Sequence, residues 1–240
     1  MDLVALNELL CSPFYERRNS LGRDSNGSVI VKPGQLIWAH VLYPTAKPQS
    51  LSLVELDRAN GAKSTFKVED FRPSFDPNFP VAELGLEDDE RFYVVKGKRR
   101  QAIVLQTVRA RFFQPNSPEQ YAWVAPRFEF KIRHHLKFQV GVAAFDFPSL
   151  FYTPAHADGF DKPAALRFEL AQSVPLSMIE PMFDGNLNQK FLCADSWAIL
   201  QQQLYKYCSG GKILDEGIER NILAYSQLVR EEYDKLENKS

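Results

Sequence analysis

The chain has 240 residues, of which 45% are hydrophobic and 25% charged, and a formal net charge of -1, which is the composition of a globular protein that folds without help. Its three cysteines, Cys11, Cys193 and Cys208, have no CxxC or other metal-ligand spacing, so the sequence argues against a disulfide framework or a zinc site and for reduced thiols. The first twenty residues have no basic stretch ahead of an apolar one, and nowhere do about eighteen apolar residues run together, so we expect a cytoplasmic protein with no membrane segment.

The first predicted elements are a short helix and a loop, over residues 1–30. Leu3, Leu6 and Leu9 recur with helical spacing, and the chain then turns polar over 19–28. In 29–43, β-branched and aromatic residues lie on both sides of Pro33-Gly34. This pattern predicts two strand pieces that meet at a tight corner.

Further strands are predicted where aromatic and β-branched residues alternate with turn signals. In chain order they lie at 51–56, 64–68, 91–95, 101–108, 121–124, 128–132, 138–145 and 165–172. Asn60-Gly61 is predicted to join the first two of these strands, and Lys96-Gly97-Lys98 to form the turn between the next two.

Two helices are predicted at the C-terminal end. The first covers 197–207, with Asp195 or Ser196 as its cap and Gly210-Gly211 as its end. The second begins near Leu214 and carries an apolar stripe at spacings of three and four residues. Such a stripe indicates contact with the core, and the alternative is a dimer or partner interface.

The fold class that follows is mainly β with C-terminal helices, in the α+β class. Short strands at close spacing predict a small β-barrel rather than a doubly wound sheet. We expect an N-terminal helix and loop over 1–30, a barrel over 31–209 with an insertion at about 46–90, and a C-terminal helix over 210–240. The one boundary signal, at 209–211, also fits a turn between two helices.

Charge is segregated along the chain. Residues 91–137 contain eleven Lys and Arg against Glu119 and Glu129, a local net charge of +9, so the remainder carries -10. The preceding residues 51–90 hold ten acids and four bases. Because aromatic residues are interleaved with the basic ones, 91–137 predicts a surface for a polyanion, with nucleic acid as the leading candidate. A solvated face is one alternative, and an acidic insertion that folds over the basic strands is another.

Catalytic motifs are absent: the sequence has no phosphate-binding glycine loop, HExxH, GxSxG elbow or recognisable carboxylate pair, so we expect no cofactor and no metal. His134-His135 is conspicuous, but neighbours on a strand face opposite sides, so at most one imidazole could act as an acid or base. Ribonucleases that need no metal stabilise charge with Arg or Lys, and Lys98-Arg99-Arg100 stands at a strand start suited to that role. An arginine there could equally clamp an acidic loop.

Several short segments resemble signatures of the MazF/PemK toxins. PGQLIW at 33–38 resembles the family's opening strand, and RQAIVL at 100–105 resembles its next signature, an Arg-Pro followed by an apolar strand. VAP at 124–126, LRFELAQSV at 166–174 and the segment 195–204 resemble the end of the third strand, the late strand that bears a glutamine, and the closing helix.

The resemblance implies an SH3-like barrel that forms a homodimer, cleaves single-stranded RNA without a metal and is silenced by an antitoxin protein. Arg100 corresponds to the charge-stabilising arginine, with Gln101 where the family has proline. The family's small hydroxyl after the third-strand proline is missing, so Arg127, Glu129 or a nearby histidine such as His134 has replaced it, or the barrel no longer cuts.

The sequence thus favours an SH3-like barrel with a long insertion that binds single-stranded RNA. Cleavage would add Arg100, Arg127 and His134 as catalytic residues. The alternative is a non-catalytic SH3-like interaction module that binds an acidic protein partner or nucleic acid. The side chains expected to contact the RNA are Lys98, Arg99, Gln101, Arg109, Arg111, Lys131 and Arg133.

Overall fold

The protein is a mixed α+β structure of mostly antiparallel strands with helices at its C-terminal end. A computed structural model describes residues 14–23, 29–43, 47–60, 63–71, 84–87, 92–109, 120–131, 134–156, 158–184 and 186–237. Within these ranges the strands form open sheets and no closed barrel. None of the helices there is both long and apolar enough to cross a membrane.

The strands are β1 Tyr15–Arg18, β2 Leu36–Leu42, β3 Gln49–Glu55, β4 Thr65–Asp70, β5 Tyr93–Val94, β6 Gly97–Arg109, β7 Gln120–Glu129, β8 Leu150–Thr153, β9 Ala164–Arg167, β10 Gln172–Pro175, β11 Ile179–Pro181 and β12 Gln189–Leu192. The helices are α1 Leu136–Ala143, α2 Ala194–Ser209 and α3 Glu216–Glu237, with short 3-10 turns at Phe168–Leu170 and Leu176–Met178.

The chain divides into two compact units. The first unit comprises 1–41 and 99–240, and the second comprises 42–98. The predicted insertion at about 46–90 lies within the second unit. The predicted N-terminal helix falls largely on residues 1–13, outside the described ranges, and β1, at Tyr15–Arg18 ahead of the polar stretch 19–28, was not predicted.

The first unit is organised around one large sheet whose strand order is β11-β2-β6-β7-β9-β8, with β10 also paired to β7. Leu36 and Ile103 belong to one buried cluster, whereas their chain neighbours Ile37 and Val104 belong to another. Successive residues of a strand point to opposite faces. Both faces of this sheet are therefore covered, which fits the continuous apolar runs in β2 and β6.

Strand β7 runs unbroken through Pro126, where the sequence predicts two separate strands at 121–124 and 128–132. Along one side of β7, β10 pairs with Tyr121 to Val124 and β9 pairs with Arg127 to Glu129. Pro126 lies in the gap between these two partners, where a missing backbone N–H costs least on that side. The prediction of a break at this proline was wrong.

Helix α1 occupies the segment for which a strand at 138–145 is predicted, and that prediction was also wrong. Five consecutive residues of α1, from Gln139 to Ala143, are buried. A helix that is buried all round loses its polar face, so its apolar run cannot be distinguished from a strand by periodicity. Val140 and Val142 pack with Tyr152 of β8 and Val229 of α3.

The two C-terminal helices confirm the helical predictions. Helix α2 ends at Gly210, which adopts φ +69°, as a left-handed C-terminal residue commonly does. Its N-cap is Cys193, whose Sγ accepts the Ser196 N–H at 3.4 Å, so the predicted caps were two or three residues late. In α3, Ile222 and Val229 are buried, so the middle of the apolar stripe contacts the core.

The second unit contains a three-stranded sheet of order β4-β3-β5. Strands β3 and β4 form the predicted antiparallel pair, with Leu51 opposite Val68. Strand β5 pairs with β3, through Gln49 and Val94, rather than across the predicted turn with β6. Most of the acidic run at 87–90 lies outside the described ranges.

Candidate functional site

Gln101 and Arg127 form the centre of the candidate site. In the antiparallel pairing of β6 with β7, Ala102 lies opposite Pro126, so Gln101, which precedes Ala102, lies beside Arg127, which follows Pro126. Arg127 Nη1 donates to Gln101 Oε1 at 2.6 Å. Two residues that the sequence assigns separately to catalysis and to binding are therefore in direct contact.

The Arg127 guanidinium is buried, with 3% of the residue exposed. Its Nε donates to Thr153 Oγ1 at 2.9 Å, and its Cζ lies 4.1 Å from the centre of the Phe160 ring. Thr153 Oγ1 in turn donates to the Ala164 carbonyl. Burial lowers the pKa of Arg127 to about 10, against the opposing influence of Tyr15, Glu129 and Asp161, so the group is charged at neutral pH.

A pocket of about 460 Å³ lies beside Gln101. This volume is in the range of small-molecule sites. The pocket combines one cationic, one carboxylate and one imidazole side chain with small and apolar residues. Its lining consists of Gln101, Ala155, His156, Gly159, Asp161, Met182 and Lys190.

The loop between β8 and β9 forms one wall of this pocket, and contacts from distant parts of the chain hold it in place. Arg17 of β1 forms an ion pair with Asp158 in the loop. Lys190 of β12 donates through Nζ to the Gly159 carbonyl at 3.0 Å. A Cβ on Gly159 would lie 2.2 Å from ring carbons of Tyr15, so only glycine fits at this position.

His156 is held in one ring orientation. Its Nδ1 accepts the backbone N–H of Asp158 at 3.1 Å, and its carbonyl accepts the N–H of Gly159 at 3.0 Å. Because Nδ1 is an acceptor, the neutral imidazole carries its proton on Nε2. The pocket thus contains Lys190 as a cation, and His156 and Asp161 as groups that can exchange a proton.

An aromatic and cationic pair lies on the same face of the sheet. Arg99 precedes Gln101 by two residues on β6, so the two side chains share a face about 6.6 Å apart along the strand. The Arg99 Cζ lies 4.5 Å from the centre of the Trp38 ring, and its guanidinium also pairs with Glu180 of β11. This pair, which we call the Trp38–Arg99 platform, shares a sheet face with the pocket residue Gln101.

Arg100 does not join this site. It alternates with Arg99 and Gln101 along β6 and so lies on the opposite face, where its Cζ is 4.2 Å from the ring centre of Phe128. Arg167 approaches the same ring at 5.1 Å. The structure therefore does not bring Arg100 and Arg127 to one phosphate, although the sequence pairs them as catalytic residues.

The other predicted site residues are dispersed. His134 packs between Phe130 and Phe138, and its Nδ1 accepts the backbone N–H of Lys131 at 3.0 Å. Lys131 itself is exposed, and Lys98 is an exposed residue of the second unit. The side chains of Arg109, Arg111 and Arg133 lie outside the described part of the chain.

Sequence reasoning missed most of the pocket. His156 and Asp161 follow the strand residues Leu150–Thr153 and precede Ala164–Arg167, in a segment rich in Asp, Gly and Ala. A polar loop between two apolar runs is where binding residues often lie, and this signal could have identified His156. Lys190 had no such signal, because it lies within a strand.

No family model matches the chain, and no curated protein or solved structure matches it either. Among the described residues there is no group of three or more His, Cys, Asp or Glu side chains that could hold a metal ion. We therefore assign no metal ligand, and the functional argument depends on the geometry of the pocket and of the Trp38–Arg99 platform.

Proposed function

We propose that this protein binds single-stranded RNA on the face of the first unit that carries Trp38, Arg99 and Gln101, with one nucleotide entering the pocket. The observation that carries this proposal is the Trp38–Arg99 platform beside a pocket that holds Lys190. Proteins that bind single strands combine aromatic rings, on which bases stack, with cations that follow the phosphates. Here the two features are neighbours on one sheet face.

We further propose that the fold is an SH3-like arrangement related to the MazF/PemK toxins. The segments that resemble the family's first three signatures, 33–38, 100–105 and 124–126, fall on the neighbouring strands β2, β6 and β7. The late segment that bears Gln172 pairs with β7, where Gln172 lies opposite Val124. This order in one sheet is the observation that supports the proposal.

The binding test is retention of a fluorescent single-stranded RNA, measured by anisotropy over a range of salt concentrations. We expect affinity to fall steeply as salt rises, because phosphate neutralisation releases counterions. Trp38→Leu and Lys190→Ala should each weaken binding, by about tenfold or more. Lys212→Ala is the matched control, because Lys212 is exposed and does not line the pocket. Salt-independent or absent binding would refute the proposal.

Cleavage is scored in the same samples, with a chelator present. The pocket supplies proton-exchanging groups in His156 and Asp161, which metal-free cleavage needs, in place of the predicted His134. Defined fragments that disappear in His156→Ala would extend the proposal to an endoribonuclease. Intact RNA that is bound and released would limit it to binding.

A toxin role adds two partners to the proposal, an antitoxin protein and a second copy of this chain. Expression should then arrest growth, and a neighbouring gene should relieve the arrest. Sedimentation at several concentrations should reveal a homodimer. Unimpaired growth together with a monomer at all concentrations would leave RNA binding as the proposal and remove the toxin role.

An interaction module for an acidic protein partner is the second candidate. The ion pair between Arg99 and Glu180 favours it, because a carboxylate of a partner could take the place of Glu180. Both residues are partly exposed, and surface pairs of this kind exchange at little cost. Retention of poly-glutamate without retention of RNA would favour this candidate.

A further inference from the structure

Arg127 has an unused hydrogen-bond donor inside the protein. Nε and Nη1 have neutral partners in Thr153 and Gln101, but Nη2 is buried and has no hydrogen-bond acceptor among the described residues. The carboxylates of the described residues form no ion pair with Arg127. A full positive charge is therefore enclosed with only neutral hydrogen-bond partners.

Such an arrangement is costly. A buried charge without a counter-charge loses its hydration, and no electrostatic attraction of similar size replaces that hydration. Buried arginines are therefore nearly always paired with an anion. Asp161 and Glu129 favour the charged form from a distance, but neither is in hydrogen-bond contact with it in the structure. An anion close to the guanidinium would supply the counter-charge.

Gln101 connects this buried charge with the pocket. Its side chain both accepts from Arg127 Nη1 and lines the pocket. An anionic oxygen is a stronger acceptor for an arginine than a neutral amide, and bidentate contacts strengthen this preference. A rotation of the Gln101 side chain, which needs no backbone movement, would free Arg127 Nη1 for another acceptor on the pocket side of Gln101.

We infer that the pocket is an oxyanion site in which a phosphate group displaces the Gln101 amide from Arg127. Lys190 supplies a second cation to the same ligand, since its Nζ lies in the pocket wall at the Gly159 carbonyl. Asp161 also lines the pocket and opposes the anion, so it limits the affinity. The phosphate is either a free phosphate or phosphomonoester, or a linkage of RNA, and only the RNA case rests on the proposed function.

The experiment is calorimetric titration of the full chain with inorganic phosphate at low ionic strength. Arg127→Met, which keeps the size of the side chain, should reduce phosphate affinity by at least about tenfold, as loss of a charged contact does. Gln101→Ala should preserve or increase affinity, because the amide no longer competes. Asp161→Asn should increase it. Arg167→Met is the matched control, since Arg167 lies on the opposite face beside Phe128.

The inference is overturned if the wild-type chain binds no phosphate. It also fails if folded Arg127→Met binds as the wild type does, or if Gln101→Ala weakens binding as much as Arg127→Met. Thermal melts followed by circular dichroism identify variants that do not fold. If Arg127→Met fails to fold, Asp161→Asn and Gln101→Ala provide the decision. Tighter binding in Asp161→Asn together with preserved or increased affinity in Gln101→Ala supports the inference, and any other result overturns it.

Two further titrations distinguish the sources of the phosphate. One uses a phosphomonoester, and the other a short RNA in which the linkages are neutral methylphosphonates, compared with the natural RNA. Phosphate binding without RNA binding keeps this inference and rejects the proposed function. RNA binding that is unchanged in Arg127→Met, while phosphate binding is lost, keeps the proposed function and excludes an RNA linkage as the source of the phosphate.

Discussion

Gly159 is the residue at which the pocket wall is least tolerant of change. A Cβ there would lie 2.2 Å from ring carbons of Tyr15, and Tyr15 is itself buried and donates to the Pro154 carbonyl at 2.8 Å. We predict that Gly159→Ala lowers the free energy of unfolding by about 2 kcal/mol, the usual cost of overpacking. It should also weaken phosphate binding, because the loop that carries His156 must move. Urea denaturation and calorimetry measure the two effects.

Gly217→Ala is the control for this prediction. At that position a Cβ meets only the Asp215 Oδ1 atom, at 3.1 Å, so a shift of a few tenths of an ångström that keeps its hydrogen bonds to the N–H groups of Gly217 and Ile218 makes room. Because Gly217 lies in α3, alanine should increase the free energy of unfolding by about 0.5 kcal/mol through its helix propensity. Equal destabilisation by both substitutions would mean that the Tyr15 contact has no special role.

The charge of Arg127 gives the second prediction at the residue scale. A pKa lowered to about 10 corresponds to a net cost of about 3 kcal/mol for the charged form at neutral pH, because burial outweighs the influence of the neighbouring groups. Arg127→Met should therefore leave the free energy of unfolding unchanged or increase it, by up to about 2 kcal/mol, while phosphate binding is lost. Chemical denaturation at pH 7 measures the change.

The same shift has a pH signature. Between about pH 10 and the pKa of an unfolded arginine, the unfolded chain holds the proton that the folded chain has released, so this residue's contribution to stability rises with pH there. Arg127→Met should remove that contribution. A loss of more than about 3 kcal/mol at pH 7 would instead identify Arg127 as a structural residue.

The candidate site could be predicted only in part from the sequence. The sequence names Gln101 as the residue that stands where the MazF/PemK family has proline, and Arg127 as a replacement for the missing hydroxyl. Their contact depends on the register of β6 against β7, which composition does not determine. Lys190 reaches the pocket from β12, which lies much later in the chain than Gln101. No local sequence pattern predicts a contact between residues so far apart.

At the scale of elements, the contact between α2 and α3 depends on a polar network. Gln202 Nε2 and Lys206 Nζ donate to the two carboxylate oxygens of Glu219, at 2.9 and 2.6 Å. Although burial alone would raise it, these contacts hold the pKa of Glu219 below its ordinary value. We predict that Lys206→Met lowers the free energy of unfolding by about 2 kcal/mol at pH 7, because a partly buried carboxylate loses its cation.

The pH dependence of this network follows from the direction of the shift. A lowered carboxyl pKa contributes stability above the ordinary pKa of glutamate, and the contribution is lost as pH falls through the lower folded value. The difference between wild type and Lys206→Met should thus shrink on acidification below about pH 4.5. Lys235→Met is the control, because Lys235 pairs with Glu232 on the exposed side of α3 and should have little effect.

The elements themselves were predictable where local signals agree with the tertiary structure. The β3–β4 pair has alternating residues and a turn, and α2 ends at a glycine with positive φ. Helix α1 was not predictable, because its surroundings bury Gln139 and Gly141 together with the apolar residues. The continuity of β7 likewise depends on where β9 and β10 end, which the Pro126 sequence alone does not reveal.

For the whole molecule, the division into two units predicts that the first unit folds without the second. The chain leaves the first unit after Val41 and returns at Arg99, and Tyr43 N donates to the Lys96 carbonyl at 2.9 Å. Residues 44–95 could therefore be replaced by Asn-Gly, which favours a two-residue hairpin turn. We predict that the shortened chain folds with a single cooperative transition and keeps phosphate binding. Thermal denaturation and calorimetry report both properties.

RNA binding by the shortened chain tests the idea that the acidic insertion masks the basic strands. A several-fold gain in RNA affinity at low salt would support masking, and an unchanged RNA affinity would contradict it. A chain that fails to fold would show instead that the first unit needs the second. Asn60→Ala is the control, because it changes one residue of the second unit and keeps the rest.

The attachment of the pocket loop by Arg17 and Lys190 has a consequence for how the protein is made. Strand β1 pairs with β12, with Tyr15 opposite Leu192. The strand that carries Arg17 therefore cannot pair until the chain has been synthesised as far as Leu192. Contacts between such distant residues form late, since the entropy of closing a long loop is lost first. During synthesis Gln101 and Arg127 leave the ribosome well before Lys190 does. A nascent chain thus carries the buried arginine's strand for some time before it has a site that could hold a ligand.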